Sequence, residues 1–349
     1  MMRTAIVALT PAGMEQARRL ASRMDDAELF GPAEQCRDGE NAFTASLAEE
    51  LPQLFAGSRA LICIMASGIV VRLLAPHLRG KERDPAVVVV DEAGQFAISL
   101  LAGHLGGANA LAREVAGILD GTPVITTATD VQGLPAWDEV ARTSGLVVEP
   151  VVHIKLLNSA LLRGERIALI DPMRRIAEHY ASLPGITVCG TFLEAEDPSF
   201  AARVIVTHRL VDNIEDPVTL MLRPCDLVVG IGCNRDTSAD EIEQAVSEVL
   251  QNHRLSRSSV RGLASIEEKR DERGLSEFAQ RWRLPLDYHS AEALNGVRLA
   301  SPPSEHALAA VGAQGVCEPA ALLSAAPGQL LVKKQKLGNV TVAVAECHD

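Results

Sequence analysis

CIMASGIVVRLLAPHLRGKERDPAVVVVDEAGQFAISLLAGHLGGANALA, residues 63–112, is the stretch that decides the fold. The apolar runs Arg59–Met65 and Pro85–Val90 have the length and the Val/Ile content of buried strands, and a helical pattern at 67–78 separates them. Strand, helix and strand in that order is the unit of a parallel α/β sheet. Ligands of such sheets sit beyond the carboxyl ends of the strands, where glycine lets the backbone approach closely. The first run ends in Ser67-Gly68 with Arg72 just beyond, and the second ends in Asp91-Glu92-Ala93-Gly94. Gly103-His104-Leu105-Gly106-Gly107-Ala108-Asn109 follows. A His, an Asp, an Arg and several Gly at strand ends suggest a binding site, and an enzyme more than a scaffold.

Working outward, short apolar runs alternate with helical patterns along the whole chain. The expected class is therefore α/β, multi-domain, with mainly parallel sheets flanked by helices. Strands are expected at 4–9, 59–65, 85–90 and 122–127, with helices at 14–24, 67–78 and 107–119. The segment 121–130 ends in hydroxyls and Asp130, with Thr127 among them. An irregular middle region begins near Leu134-Pro135, and a second boundary falls near Arg223-Pro224. The expected organisation is an N-terminal α/β domain at 1–133, a middle α/β region at 134–223 and a C-terminal α/β domain at 224–349. After Thr237, Ser238 and Glu241 read as a capping box for a helix whose apolar face is Ile242, Ala245, Val246, Val249 and Leu250.

The 349 residues are 47% hydrophobic but only 3% aromatic, so the cores must be built from Ala, Val, Ile and Leu. A net charge of −12 argues against general binding to nucleic acid or an anionic membrane. Seven cysteines without a CxxC pair fit reduced thiols. No apolar run approaches the length of a bilayer span, and the first residues do not read as a signal peptide; a cytoplasmic protein is expected. No His/Cys/Asp spacing matches a zinc or iron site, so no metal is expected. A symmetric homodimer is the default expectation for the assembly.

Each constellation has a plain reading beside the functional one. GIGCNR at 230–235 starts like a dinucleotide loop, but Arg235 stands where the third glycine belongs, which argues against a nicotinamide-dependent oxidoreductase. It is either a tight strand-to-helix turn or an anion site made of Gly232, Cys233, Arg235 and the following helix N-terminus. His104 is either a structural hydrogen-bonder or an exposed imidazole beside three glycines. Asp91 and Glu92 are candidates for a general base or for orienting His104, or else a helix cap. Ser67 lacks the glycine elbow of a nucleophile and reads as a hydrogen-bond donor. Ser265 and Lys269 in ASIEEKRDERG are either solvated surface or strand-end ligands for an acidic substrate. Lys333, Lys334 and Lys336, expected just before a final strand, are either a basic turn or anion ligands.

The motifs ALICIMASGIVVR, VDEAG, LLAGHLGGANALA, VITTATD, GIGCNRDTSADEI, LASIEEKRDERG, CEPAALL and LVKKQKLGNVTVAVAE resemble, in order, the CbiG family of anaerobic cobalamin biosynthesis. The resemblance runs from about Thr4 to Glu346; the middle region is matched mainly by position. It implies cobalt-precorrin-5A hydrolase activity, in which the δ-lactone of a cobalt tetrapyrrole opens and C20 leaves as acetaldehyde, giving cobalt-precorrin-5B. It also implies that the substrate brings its own cobalt, with no separate cofactor, and that intermediates pass to or from neighbouring pathway enzymes. On this reading His104, oriented by Asp91, is the expected acid or base, with Glu92 a further candidate catalytic residue, while Gly106 and Gly107 N–H groups polarise the lactone carbonyl. Ser67, Gly68, Arg72, Gly103, Asn109, Thr127, Asp130, Gly232, Cys233, Arg235, Ser265, Lys269 and Lys336 are the expected substrate ligands. The alternative is a non-catalytic carrier of a cobalt-tetrapyrrole intermediate.

Overall fold

The computed structural model describes residues 3–80, 83–212, 215 and 218–348. The chain packs as two compact units. One comprises Met1–Thr143, Ile154–Glu165 and Ser182–Gly185; the other comprises Ser144–His153, Arg166–Ala181 and Ile186–Asp349.

The first unit is built on β1 (Thr4–Ala8), α1 (Pro11–Ala21), β2 (Ala27–Gly31), β3 (Asn41–Ala42), α2 (Leu47–Gly57) and β4 (Ala60–Ile64). It continues through α3 (Ser67–Leu74), β5 (Ala86–Val90), β6 (Phe96–Leu101), α4 (Ala108–Leu119), β7 (Thr122–Val124), α5 (Ala128–Val131) and α6 (Trp137–Thr143). The sheet order is β3-β2-β1-β4-β5-β6-β7. Every residue of β1, β4 and β5 is buried, because helices cover both faces. The period-2 alternation divides them cleanly. Ile6, Ile62, Ile64, Val88 and Val90 face the side packed by Met14, Leu20, Ala112 and Val115. Val7, Leu61, Cys63, Val87 and Val89 face the side packed by Leu51, Phe55, Val70 and Leu74. The small alanines of α1 and α4 fill this aromatic-poor core.

The sheet departs from the sequence expectation at QFAISLL. This run is β6, antiparallel to β5 and parallel to β7. DEAG is accordingly a hairpin turn rather than a ligand-binding strand end. Asp91 accepts hydrogen bonds from the Ala93 and Phe96 N–H groups at 3.1 and 2.6 Å, and Gly94 has φ +74°. α3 is also shorter than the expected 67–78, since Pro76 lies in the single 3₁₀ turn that ends it.

The second unit carries two five-stranded sheets. The first is ordered β10-β9-β11-β12-β8. Its elements are β8 (Leu146–Glu149), α7 (His153–Leu162, whose residues from Ile154 pack in the first unit), β9 (Ile167–Ile170), α8 (Ala177–Tyr180), β10 (Ile186–Cys189), β11 (Ala202–Val206) and β12 (Val218–Pro224). β8 alone is antiparallel. The last sheet contains β13 (Leu227–Cys233), α9 (Ala239–Asn252), β14 (Val260–Ile266), α10 (Arg273–Trp282) and β15 (Leu286–His289). It ends with α11 (Ala291–Asn295), α12 (Glu305–Val311), α13 (Cys317–Ser324), β16 (Gly328–Leu337) and β17 (Val340–Cys347). β17 inserts antiparallel between β13 and β16 in the order β15-β14-β13-β17-β16.

α9 buries the five expected apolar residues. Only half of its expected capping box forms. The Ser238 hydroxyl accepts the Glu241 N–H, but the Glu241 carboxylate accepts from Asn339 N and Nδ2 at 3.1 Å each. The three lysines lie within β16, not in a turn ahead of the last strand.

Candidate functional site

β6 and β7 are parallel neighbours, so the loops that leave their carboxyl ends lie side by side. The first loop, Ala102–Gly107, carries His104; the second leads through Thr127 to Asp130 in α5. The first is tightly wound. Ala102 has φ +56° and Gly107 has φ +85°, and a Cβ on Gly106 would lie 2.4 Å from the Ala102 Cβ. The Gly107 N–H donates to the His104 carbonyl at 3.0 Å, and the Ala108 and Asn109 N–H groups donate to the Ala102 and Gly103 carbonyls. Gly107 and the helix N-terminus behind it thus satisfy their donors inside the loop, and the expected role of the Gly107 N–H as a carbonyl polariser is corrected on that ground.

His104 is held between two carboxylates. Its Nε2 is 2.8 Å from Asp130 Oδ2, and its Nδ1 is 3.3 Å from Asp138 Oδ1. A neutral imidazole would turn a lone pair toward one of these carboxylates, whereas the imidazolium offers an N–H to each. Burial of His104 opposes the charge, but hydrogen bonds to Asp138 and Asp130 outweigh it and raise the imidazole pKa to about 9. Burial also acts to raise the Asp130 pKa, yet hydrogen bonds from Thr127, His104 and Arg113 hold it below its ordinary value. Asp138, 3% exposed, is likewise held low against its burial by His104 and Asn158.

The supporting shell is dense. Asp130 accepts from Thr127 Oγ1 at 2.6 Å, from Asn109 Nδ2 at 3.0 Å and from Arg113 Nη2 at 2.5 Å. Asn109, buried, takes the Ser99 hydroxyl on its Oδ1 at 2.6 Å, which fixes the amide. Asn158 Nδ2 donates to Asp138 at 2.9 Å while its Oδ1 accepts the Trp137 N–H at 3.0 Å. Arg142 Nε caps the His104 carbonyl at 3.1 Å. A polar network satisfied to this degree fixes one imidazole orientation. Beside it opens a cavity of about 280 Å³, lined by His104, Asp138, Thr127, Thr129, Asn158 and Lys155 among others.

Of the residues expected from sequence, the structure therefore joins Gly103, His104, Asn109, Thr127 and Asp130. It does not place Asp91 as the partner of His104: Asp91 caps the β5–β6 turn, and Glu92 accepts the Thr10 hydroxyl at 2.5 Å. Ser67 and Gly68 open α3 on the surface, where exposed Arg72 donates back to the Gly68 carbonyl. In the second unit Ser265 is fully buried and donates to the Ile231 carbonyl at 2.8 Å, so no ligand reaches it. Lys269 is paired with Glu272 at 3.0 Å. Gly232 is a packing glycine, since a Cβ there would stand 2.6 Å from Thr341 Oγ1. Burial pushes the Cys233 thiol up to about 11, which leaves it no thiolate at neutral pH. Arg235 is exposed on a cavity where carboxylates outnumber guanidinium groups, an unsuitable lining for a polyanion. Lys336 is exposed on β16 opposite Thr341.

Sequence reasoning missed Asp138, Arg113, Asn158 and Lys155. The available signal was WDEV at 137–140: an apolar-flanked acid beside a Trp in a helix start, where burial demands a charged partner.

The fold defines an α/β protein whose carboxylate-braced imidazole lies beside a cavity at the carboxyl ends of β6 and β7. The particular family follows from its relatives. Matches to "Cobalamin synthesis G N-terminal" (residues 49–130), "Cobalamin biosynthesis central region" (135–224) and "Cobalamin synthesis G C-terminus" (227–345) succeed one another along the chain. The chain is 37% identical to a "Cobalt-precorrin-5A hydrolase" of Priestia megaterium, covering 98% of this chain and 94% of that protein. It is 35% identical to the protein of the same name from Salmonella typhimurium, covering 99% and 97%. A "Protein CobE" of Sinorhizobium sp. is 33% identical over 34% of this chain and 79% of its own length. The chain belongs to the CbiG family.

Proposed function

We propose that this chain is a cobalt-precorrin-5A hydrolase, which opens the δ-lactone of a cobalt-bearing tetrapyrrole with water and releases acetaldehyde by carbon–carbon cleavage. Nearly full-length similarity to two proteins of that name supports the reaction. The observation that carries the site assignment is His104, kept protonated between Asp130 and Asp138 on the wall of an open cavity.

The chemistry follows from the two ring nitrogens. Nε2–H is committed to Asp130, itself fixed by Thr127, Asn109 and Arg113. Nδ1–H, at 3.3 Å from Asp138, is the looser proton and the one to be transferred. It serves the lactone oxygen as charge develops there, so that His104 is a general acid. Asp138, a carboxylate at neutral pH, orients the attacking water and accepts its proton, while His104 gives its own to the departing lactone oxygen. Lys155, exposed at the cavity, suits a peripheral carboxylate of the substrate. A volume of about 280 Å³ is at the lower end for a ligand pocket, so the macrocycle enters by the edge that bears the lactone.

The test is anaerobic incubation of the purified chain with cobalt-precorrin-5A, with acetaldehyde assayed by coupled NADH oxidation. Acetaldehyde in at least stoichiometric amount is expected. Tight binding of the macrocycle without acetaldehyde would establish a carrier and overturn the proposal.

A further inference from the structure

A second imidazole–carboxylate cluster lies in the second unit, apart from the proposed reaction. His208 follows β11, Asp226 sits in the link between β12 and β13, and Glu346 is near the end of β17. The β13–β17 register brings Glu346 opposite Leu227, next to Asp226. The backbone pins all three: the Ser256 N–H donates to the His208 carbonyl and the Cys347 N–H to the Asp226 carbonyl, both at 2.7 Å.

His208 Nδ1 is 3.3 Å from Asp226 Oδ1 and 3.5 Å from Glu346 Oε1. These separations lie at the long end of hydrogen bonding, as does the 3.3 Å contact of His104 with Asp138, so the unpartnered Asp226 oxygen rather than distance sets this cluster apart. They match the edge of a tetrahedral metal site, where ligand bonds of about 2.0–2.1 Å set neighbouring donor atoms about 3.3–3.4 Å apart. All three donor atoms lie within 4.8 Å of one another. Each carboxylate has its other oxygen held by a donor: Arg175 Nη2 on Asp226 Oδ2 at 3.3 Å, and Gln329 Nε2 on Glu346 Oε2 at 3.1 Å. That arrangement aims one free oxygen from each toward His208, as outer partners do around a metal. Asp226 Oδ1 is buried without a hydrogen-bond partner, on a side chain only 5% exposed. Arg175 offsets part of the charge of the two carboxylates; a cation at the convergence point would offset the rest while His208 serves it as a neutral ligand.

We propose that His208, Asp226 and Glu346 bind a divalent transition-metal ion, with the imidazole and two monodentate carboxylates leaving a fourth position to water. One imidazole with two carboxylates suits zinc better than magnesium or calcium. The ion would tie β11, the β12–β13 link and β17 together, so binding is expected to raise the melting temperature.

The test uses the full chain without an affinity tag, stripped with a chelator and titrated with ZnCl₂ by calorimetry, with thermal melts in parallel. One equivalent is expected to bind tightly and raise Tm. Glu346→Gln and His208→Gln are expected to abolish that binding, with circular dichroism reporting whether each folds. Gln329→Leu, which removes only the donor that orients Glu346, is expected to weaken it about 10–100-fold. His104→Ala is expected to leave it unchanged. Absence of zinc binding overturns the proposal, as does binding that survives His208→Gln and Gln329→Leu or is lost in His104→Ala.

Discussion

Among single residues, His104 carries the proposed chemistry. Its pKa is raised to about 9, above the ordinary value of 6.5, so the protonated form prevails through neutral pH. In the proposed role of general acid it loses function when it loses its proton, so kcat/KM is expected to fall on an alkaline limb near pH 9. Asp138→Asn removes one stabilising charge and should move that limb to lower pH; a limb that stays near pH 9 would detach it from His104. The same shift couples to stability. Because the folded value lies above the unfolded one, the stabilisation is complete below pH 6.5, declines through the interval to 9 and is absent above it, at most about 3 kcal/mol. Urea unfolding of wild type and His104→Gln should therefore differ most at pH 6 and converge by pH 10. The glycine-rich setting made His104 legible in the sequence. Its partners were not, because the chain runs from 104 to 130 and 138 before returning, and only the parallel pairing of β6 with β7 closes that distance.

At the scale of elements, loops are positioned by close backbone contacts. A Cβ on Gly230 would lie 1.9 Å from the Cys317 carbonyl oxygen, where α13 packs on β13. Gly230→Ala is expected to lower the stability of the chain by several kcal/mol, read as a reduced urea midpoint, since no flexible side chain is there to yield. Strands with continuous apolar runs, such as β4 and β5, were readable because burial on both faces leaves only apolar residues. β6 was not: its FAISLL run has one buried residue and a serine that serves Asn109, so it shows neither a clean alternation nor a full apolar run. Missing β6 is what turned the DEAG hairpin into an apparent ligand site. Ser265 does stand at the end of β14, as its sequence suggests, but it is fully buried and spends its hydroxyl on the Ile231 carbonyl.

For the whole molecule, a net charge of −12 would oppose the approach of the polycarboxylate substrate that the proposed function implies. Long-range repulsion slows encounter, and salt screens it. Raising ionic strength toward 0.15 M is thus expected to increase kcat/KM a few-fold. A monotonic decrease would indicate that local cations such as Lys155 dominate the approach. The α/β class and its mainly parallel sheets were legible from the alternation of apolar runs and helical patterns. The antiparallel placements of β8 and β17 were not, because strand order is decided by packing between distant segments and leaves no local signature. Among the described residues no helix is long and apolar enough to cross a membrane.

The most direct test of the central claim is anaerobic acetaldehyde release from cobalt-precorrin-5A by wild type and His104→Ala, measured from pH 6 to 10 alongside macrocycle binding. The variant is expected to lose turnover about 10²–10⁴-fold and to retain binding, with an alkaline limb near pH 9 present only in wild type. Near-normal turnover by His104→Ala, with the same pH dependence, would remove His104 from the reaction.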